Sequence, residues 1–191
     1  FVGYNLNKDG SDSSNDNNKS VNRINEKINN DVIEDVKNKI ITPTKINYPR
    51  PKNGFSPYDQ YFGKGIYNNN SGNEFVIKNS NSTDAVVLLV DAFSKKKIRN
   101  EYVRKGNDFK MTGVPNGTYY IEWFSGNDWS PNLKVASKYK GGFRKDASFT
   151  KTRDRSDWMP VKGYQQWTIT LYNVTGGDVA SEKIDEDDFF N

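Results

Sequence analysis

Short runs of β-branched and aromatic residues fill the chain from about residue 59 onward, and Gly, Asn and Asp separate these runs at regular intervals. This pattern is typical of an all-β domain. The predicted strands are EFVIK (74–78), AVVLLVDAF (85–93), KIRNEYVR (97–104), DFKM (108–111), TYYIEWF (118–124), GFRKDASF (142–149), QQWTITLYNV (165–174) and DVASEKI (178–184). The sequence therefore predicts a mainly β domain over residues 59–191, built as an antiparallel β-sandwich.

Two of these strands carry information about their faces. The run AVVLLVD is apolar on both sides, which predicts a central strand that is covered on both faces. Along TYYIEWF, Tyr119, Ile121 and Trp123 share one face, and Glu122 lies on the other. Because glutamate is rarely buried, we predict that the Tyr119 face is core and that the Glu122 face is the wetter one.

A turn between two of the predicted strands carries a family resemblance. Val-Pro-Asn-Gly (114–117) leads into TYYIEWF and follows VVLLVDAFSKKKIRNEYVRKGNDFKM. This arrangement resembles the transthyretin-like carboxypeptidase regulatory β-sandwich, in which a Pro-x-Gly-x-Tyr turn joins two strands. The resemblance covers roughly residues 75–124 and implies a transthyretin-like or Ig-like module without its own active site. The whole chain is also similar to uncharacterised β domains of Bacteroidota-type bacteria, and that similarity implies no known activity.

The region before the β domain has three predicted parts. Residues 1–19 form a flexible polar segment, 20–41 an amphipathic helix and 42–58 a Pro-rich connector. The apolar stripe of the helix consists of Val21, Ile24, Ile28, Val32, Val36 and Ile40. Spacings of three and four place these residues along one helical face. The stripe predicts a contact with the chain's own domain, with a second copy or with another protein.

The polar segment contains a weak calcium-loop pattern. Asn5, Asn7, Asp9 and Asp16 offer oxygen ligands at loop spacing, and Gly10 occupies the sixth position. Asn replaces the usual first Asp, and no helix is evident before the loop. A flexible linker is the alternative interpretation and the one we favour.

The composition excludes several kinds of chemistry. The chain has no histidine and no cysteine. This excludes Ser-His-Asp and Cys-His catalysis, disulfides, and zinc sites built from His or Cys. A hydrolase that uses two carboxylates would need a matched acidic pair, and nothing in the sequence singles one out. The sequence therefore predicts a protein that is not an enzyme and has no cofactor.

Two tryptophans in polar surroundings are candidate contact residues. Trp129 lies in SGNDWSPN and Trp158 in DRSDWMPV, and both segments look like loops. A loop tryptophan can stack on a sugar or contact a protein partner. The other interpretation, which we favour, is that each ring caps an open end of the sandwich.

A basic stripe over residues 134–155 is the other candidate surface. Its basic side chains are Lys134, Lys138, Lys140, Arg144, Lys145, Lys151, Arg153 and Arg155. Such a stripe fits an acidic protein, an anionic lipid headgroup or a polyanionic glycan, and a merely solvated face is the default interpretation. The net charge of +4 and the absence of a recognised module do not favour nucleic acid.

The ends of the chain complete the prediction. The tail EKIDEDDFFN is read as a last strand whose Phe189 and Phe190 close the core, with a docking peptide as the alternative. Phe1 in place of Met suggests a processed or trimmed product. No apolar run approaches the roughly 18 residues of a membrane helix.

The sequence predicts a non-enzymatic structural or interaction module of a bacterial cell-envelope or surface assembly, located outside the cytoplasm. Its N-terminal extension would dock on a protein partner or on another copy of the chain. The alternative is a carbohydrate-binding module that uses Trp129, Trp158 and nearby tyrosines.

Overall fold

The computed structural model of the protein describes residues 47–172 and 180–191, together with Lys27, an exposed helical residue. The chain divides into two compact units, Phe1–Ile46 and Asn47–Asn191, and the fold below is that of the second. The predicted calcium loop and, apart from Lys27, the predicted helix over 20–41 lie outside the described residues.

Nine strands and two short α-helices make up the described part of the second unit. The strands are β1 Glu74–Lys78, β2 Asp84–Asp91, β3 Lys97–Val103, β4 Asp108–Met111, β5 Gly117–Val135, β6 Tyr139–Thr152, β7 Met159–Val161, β8 Gln166–Thr170 and β9 Ser181–Ile184. Helix α1 spans Asp59–Phe62, helix α2 spans Glu186–Phe190, and a 3-10 helix spans Arg155–Asp157.

These strands form two sheets. The larger sheet has the order β3-β2-β5-β6-β9, with β7 paired to the start of β5, and the smaller sheet has the order β4-β1-β8. The pairing of β1 with β8 is parallel, and the other strand pairs are antiparallel. The described part of the chain is therefore mainly β, as the sequence predicts.

Strands β5 and β6 are longer than the sequence predicts. Strand β5 continues past residue 124 to Val135, because register shifts between Ser125 and Asn127 and between Ser130 and Lys134 absorb its irregular residues. Such bulges let a strand run through glycine and proline that read as loop in the sequence. Trp129 therefore lies within β5, and its predicted position in a loop is wrong.

The first of two hydrophobic clusters draws residues from both sheets. Its buried members are Phe75, Ile77, Ala85, Val87, Leu89, Ile98, Val103, Met111, Val114, Tyr119, Ile121, Met159, Val161 and Ile169. The predicted core positions Tyr119 and Ile121 are confirmed, and Trp123 packs against the same cluster.

The second cluster covers the opposite face of the larger sheet. Its buried members are Tyr58, Val86, Leu88, Val90, Tyr102, Phe124, Trp129, Val135, Tyr139, Phe143, Phe189 and Phe190. Strand β2 is thus buried on both faces, as predicted. The prediction of a wetter face on β5 is wrong, because Phe124 is 1% exposed and Glu122 only 4% exposed.

The tail closes the second cluster as a helix rather than as a strand. Phe189 and Phe190 of α2 are buried, which confirms that this aromatic pair closes the core. Asp185 caps the helix by accepting a hydrogen bond from the backbone N–H of Asp188 at 2.7 Å. The acidic first turn also suits the positive end of the helix dipole, so the sequence favours a helix here.

The compact unit begins inside the segment predicted as a connector. The backbone N–H of Gly54 donates to the carbonyl of Tyr102 at 2.7 Å, and Phe55 forms an isolated bridge with Tyr102. Tyr58 is fully buried, and its hydroxyl donates to the carbonyl of Gly141 at 2.9 Å. This stretch therefore runs along the edge strand β3 as part of the domain.

Candidate functional site

Three carboxylates are buried in the described part of the chain, and Asp84 is the best satisfied of them. It accepts hydrogen bonds from Arg50 Nε at 2.8 Å, from the Tyr102 hydroxyl at 2.5 Å and from the backbone N–H of Lys105 at 2.8 Å. Burial raises the pKa of Asp84, but the bonds from Arg50, Tyr102 and Lys105 outweigh it and hold that pKa below its usual range. These hydrogen bonds indicate that Asp84 stabilises the fold.

Glu101 is also paired. It accepts from Arg99 Nε at 2.7 Å and from the Ser56 hydroxyl at 3.2 Å. Burial raises the pKa of Glu101, and the Arg99 guanidinium partly opposes that shift. The other side of the Arg99 guanidinium lies 4.1 Å from the ring centroid of Tyr67. The charges of Glu101 and Arg99 are therefore both paired within the fold.

Glu122 differs from the other two. In the sheet it lies opposite Leu88 of β2 and Lys151 of β6. Its Oε2 atom has no hydrogen-bond partner among the described residues. Lys97 Nζ is 4.0 Å away, which is an ion-pair distance but too long for a hydrogen bond. Burial raises the pKa of Glu122, while Lys97 and Tyr120 lower it.

Glu122 forms the floor of a cleft of about 380 Å³. The cleft is lined by Lys95, Lys97, Tyr120, Glu122, Lys151, Thr152, Arg153, Arg155, Trp158, Ile184, Asp188 and Asn191. Five basic side chains thus face two acidic ones. A concave surface with this excess of positive charge concentrates anions from solution.

One wall of the cleft is aromatic. The rings of Tyr120 and Trp158 stack with centroids 6.3 Å apart, and the edge of Phe93, which is 77% exposed, meets Trp158 at 5.8 Å. Lys95 Nζ lies 4.9 Å from the Tyr120 centroid and 5.0 Å from that of Trp158. The Arg155 guanidinium lies 5.4 Å from the Trp158 ring. These cation–π contacts hold two cations at the mouth of the cleft.

Local structure explains how this wall is placed. Asp91 accepts hydrogen bonds from the backbone N–H and the hydroxyl of Ser94, both at 2.8 Å, which closes the β2–β3 turn. Lys95 follows in the left-handed region at φ 62°. On the other side, the 3-10 helix ends at Asp157, and Met159 pairs with Tyr119. Trp158 is fixed between these two elements.

The cations deeper in the cleft are already engaged. Lys97 Nζ donates to the main-chain oxygen of Asn191 at 2.7 Å, and burial lowers the pKa of Lys97. Lys151 Nζ lies 3.2 Å from Glu182 Oε1. Lys95, Arg153 and Arg155 are exposed at the rim, so they are the cations that a ligand meets first.

The two tryptophans that the sequence suggests as contact residues lie in different surroundings. Trp129 is 6% exposed and packs against Tyr102 and Phe143, with centroid distances of 5.4 and 5.0 Å. Its ring is therefore part of the second hydrophobic cluster and is not presented to solvent. Trp158 is half-buried and faces the cleft.

The predicted basic stripe does not form one surface. Lys138, Lys140 and Lys145 are exposed, and Arg144 is half-buried 3.5 Å from Asp128. Strand β6 carries these residues away from Lys151, since a strand rises about 3.3 Å per residue. Only the last part of the stripe, from Lys151 to Arg155, reaches the cleft.

The sequence analysis did not identify several residues of the cleft. Lys95 lies between the predicted strands 85–93 and 97–104, where no site is predicted, Lys97 is the first residue of the second of these strands, and Glu122 is predicted to lie on the wetter face of β5. The signal that could have revealed Glu122 is its neighbour β2, whose two apolar faces require that adjacent strands also be covered on both sides. The predicted stripe Ile24, Ile28, Val32, Val36 and Ile40 lies outside the described residues.

Comparisons with known proteins add no assignment. Neither the family models, nor the curated proteins, nor the solved structures gave a match to this chain. Within residues 47–172 and 180–191, no three carboxylates lie close enough together to hold a metal ion. None of the helices described is both long and apolar enough to cross a membrane.

Proposed function

We propose that this chain is a non-enzymatic interaction module whose β domain binds an anionic partner in the cleft above Glu122. The observation that carries this proposal is a buried carboxylate, one of whose oxygens lacks a hydrogen bond, in a cleft whose rim holds three exposed basic side chains and one tryptophan. Buried polar atoms are almost always hydrogen-bonded in folded proteins, so an exception in a concave site points to a role in binding.

The dimensions of the cleft support a defined ligand site. Its volume of about 380 Å³ lies within the range of small-molecule pockets. A flat charged surface would bind anions without selectivity. A cleft with an aromatic wall and a polar floor also constrains the orientation of what enters it.

We further propose that the domain is a β-sandwich of the transthyretin-like kind. The first hydrophobic cluster is shared by the two sheets, which supports a sandwich. The turn that carries the resemblance is also well held. Tyr119 donates its hydroxyl hydrogen to the carbonyl of Pro115 at 3.1 Å, and Asn73 Nδ2 donates to the carbonyl of Val114 at 3.2 Å and to Asn116 Oδ1 at 3.0 Å.

The assembly role of the N-terminal extension stays a prediction from the sequence. We propose that the extension docks this module into an extracytoplasmic surface assembly in a bacterium. In the full chain, Ile28→Asp with Val32→Asp would interrupt the apolar stripe, and Asn29→Asp with Asn30→Asp is the matched control. Light scattering should show that only the stripe variant loses self-association or partner binding. Equal behaviour of the two variants would exclude docking through the stripe.

Carbohydrate binding is the second candidate function, and the position of one tryptophan in the cleft favours it. Trp158 and Tyr120 line the cleft, and Phe93 is exposed beside Trp158, whereas Trp129 is buried. The carbohydrate hypothesis therefore rests on Trp158 and Tyr120.

The first experiment titrates the full chain with two anionic polymers, poly-L-glutamate and polygalacturonate. Lys95→Gln with Arg155→Gln removes two rim cations, and Lys96→Gln with Lys183→Gln removes two exposed lysines that do not line the cleft. We expect the rim variant to bind at least one polymer about tenfold more weakly and the control variant to bind normally. Equal weakening by both variants would show non-specific attraction and contradict the proposal. The recovered polymers should keep their original mass, because no turnover is expected.

A further inference from the structure

We propose that the anionic partner is an acidic glycan, a chain of sugars carrying carboxylate or sulfate groups, and that one or two of its sugar units occupy the cleft. This inference rests on the proposed function, because it names the ligand of the same site. Three features of the cleft specify it: the Glu122–Lys97 pair, the exposed rim cations and the face of Trp158.

The first feature calls for a hydroxyl group. Glu122 Oε2 and Lys97 Nζ are 4.0 Å apart and do not hydrogen-bond to each other. A hydroxyl about 2.8 Å from both atoms would accept a hydrogen bond from Lys97 and donate one to Glu122. Sugars supply such hydroxyls on adjacent ring carbons. Since Oε2 is covered, this contact requires that Lys97 Nζ leave the main-chain oxygen of Asn191 and turn towards the ligand.

The second feature calls for an anion near that hydroxyl. Lys95 and Arg155 are held above the rings of Tyr120 and Trp158, and Arg153 is exposed beside them. A guanidinium fork binds carboxylate and sulfate oxygens in pairs, and the lysine ammonium adds a compact charge. A neutral sugar would leave these rim cations without a counter-charge.

The Glu122 carboxylate and the third feature, the face of Trp158, together distinguish a sugar from an acidic peptide. A carboxylate can only accept hydrogen bonds, so a glutamate or aspartate side chain near the floor would meet Glu122 as a like charge. An acidic sugar carries its donor hydroxyls and its anionic group on the same ring. Its C–H face can also lie against Trp158, as sugar faces do on aromatic side chains.

The test compares four short ligands by calorimetry on the full chain: tetragalacturonate, a sulfated heparin tetrasaccharide, neutral cellotetraose and tetraglutamate. We expect at least one acidic sugar to bind about tenfold more tightly than both cellotetraose and tetraglutamate. The carboxylate and sulfate ligands separate the two sources of negative charge.

Glu122→Gln removes the charge at the floor with little change in shape. We expect it to weaken binding of the acidic sugar about tenfold, because only the sugar donates to this carboxylate, and not to weaken binding of tetraglutamate, which loses a like charge at the floor. Lys95→Gln is the second variant, at an exposed position where folding is not in question, and it should reduce the preference for acidic over neutral sugar. Lys96→Gln, in the same turn, is the matched control and should bind like the wild type.

The possible failures are distinguishable. If tetraglutamate binds as tightly as the acidic sugars, and Glu122→Gln changes neither, the glycan inference is overturned and the proposed anion-binding function stands. If none of the anionic ligands binds, both are overturned. If binding is the same in Lys95→Gln and Lys96→Gln, the rim cations do not select the ligand and the inference fails.

Discussion

At the scale of single residues, the three buried carboxylates show how environment decides role. Asp84 and Glu101 have an arginine and further donors, whereas Glu122 faces a lysine at 4.0 Å and its Oε2 atom accepts no hydrogen bond from the described residues. Sequence reasoning placed Glu122 towards solvent because glutamate is usually exposed. That rule fails here because helix α2 packs on this face of the sheet.

The first prediction concerns the stability of Glu122→Gln. A buried group without a full set of partners costs about 1–3 kcal/mol, so we expect the variant to raise the free energy of unfolding at pH 7 by about 1 kcal/mol. Because burial raises the pKa of Glu122 in the folded state, the native chain binds more protons than the unfolded chain between the two pKa values. Glu122 therefore makes its full contribution to the free energy of unfolding at pH values below its pKa in the unfolded chain. That contribution falls as the pH rises through its pKa in the folded chain.

Urea unfolding at several pH values measures this effect. The advantage of Glu122→Gln should shrink as the pH falls and vanish near pH 3, where glutamate is largely protonated in both states. Glu74→Gln, which breaks the partly exposed pair with Lys110, is the control and should change stability by less than about 1 kcal/mol. A Glu122→Gln protein that is less stable than the wild type at pH 7 would contradict this account of the cleft floor.

Asp84 should show the opposite behaviour. Asp84→Asn weakens the hydrogen bonds from Arg50, Tyr102 and Lys105, and we expect a loss of about 2–3 kcal/mol at pH 7. Since the folded pKa of Asp84 lies below its usual range, its contribution is present above the unfolded pKa and disappears as the pH falls through the folded pKa. The difference between variant and wild type should thus vanish in strong acid.

The measurement is again urea unfolding, at pH 7 and near pH 3. Asp154→Asn, at an exposed position without a side-chain cap bond, is the matched control. If the two variants are equally stable at pH 7, the Asp84 network does not stabilise the fold as described.

At the scale of elements, periodicity predicted the regular strands well. Strands β1 and β4 begin and end at the predicted residues, and β2, β3, β8 and β9 lie within or close to their predicted ranges. The bulged half of β5 was missed, because Gly126, Pro131 and polar neighbours carry no alternation. Strand β7 is three residues long and contains Pro160, which is too little pattern to recognise.

Helix α2 gives the third prediction. The ring of Phe190 stacks on Tyr139 at 4.2 Å and meets Tyr58 at 5.1 Å. Phe190→Ala should therefore lower the free energy of unfolding by about 3 kcal/mol, the cost of an aromatic core truncation. Asp187→Ala, in the same helix but exposed, is the control and should cost less than about 1 kcal/mol. Thermal unfolding measures both variants. An equal loss of stability in the two would show that α2 does not close the core.

The bulge in β5 gives the fourth prediction. A Cβ atom on Gly126 would lie 2.4 Å from Phe143 Cβ and 2.9 Å from the carbonyl oxygen of Lys145. Gly126→Ala should therefore destabilise the fold by about 2 kcal/mol, as overpacked cores do. The neighbouring Ser125→Ala makes a matched control, since it adds no volume. Calorimetry measures the unfolding of both variants. Equal stability of the two would contradict this close packing.

At the scale of the whole molecule, the larger sheet is covered on both faces, by the smaller sheet on one side and by Tyr58 and helix α2 on the other. The cleft lies where this second cover ends, between the β2–β3 turn, the end of β6 and the 3-10 helix. The sequence contains the pieces, but they are far apart along the chain. The residue types alone identify Trp158, Lys151 and Arg155 as candidate binding residues. That they lie beside Lys95 and Glu122 depends on the order of the strands in the sheet, which the sequence does not show.

We expect ligands to enter the cleft at Trp158. Nuclear magnetic resonance of the four indole N–H groups tests it directly, with Trp158→Phe assigning the relevant signal. On addition of digalacturonate, the Trp158 signal should shift in proportion to occupancy, while the signals of Trp123, Trp129 and Trp167 stay in place. No shift at Trp158, or a larger shift at the exposed Trp167, would contradict the account.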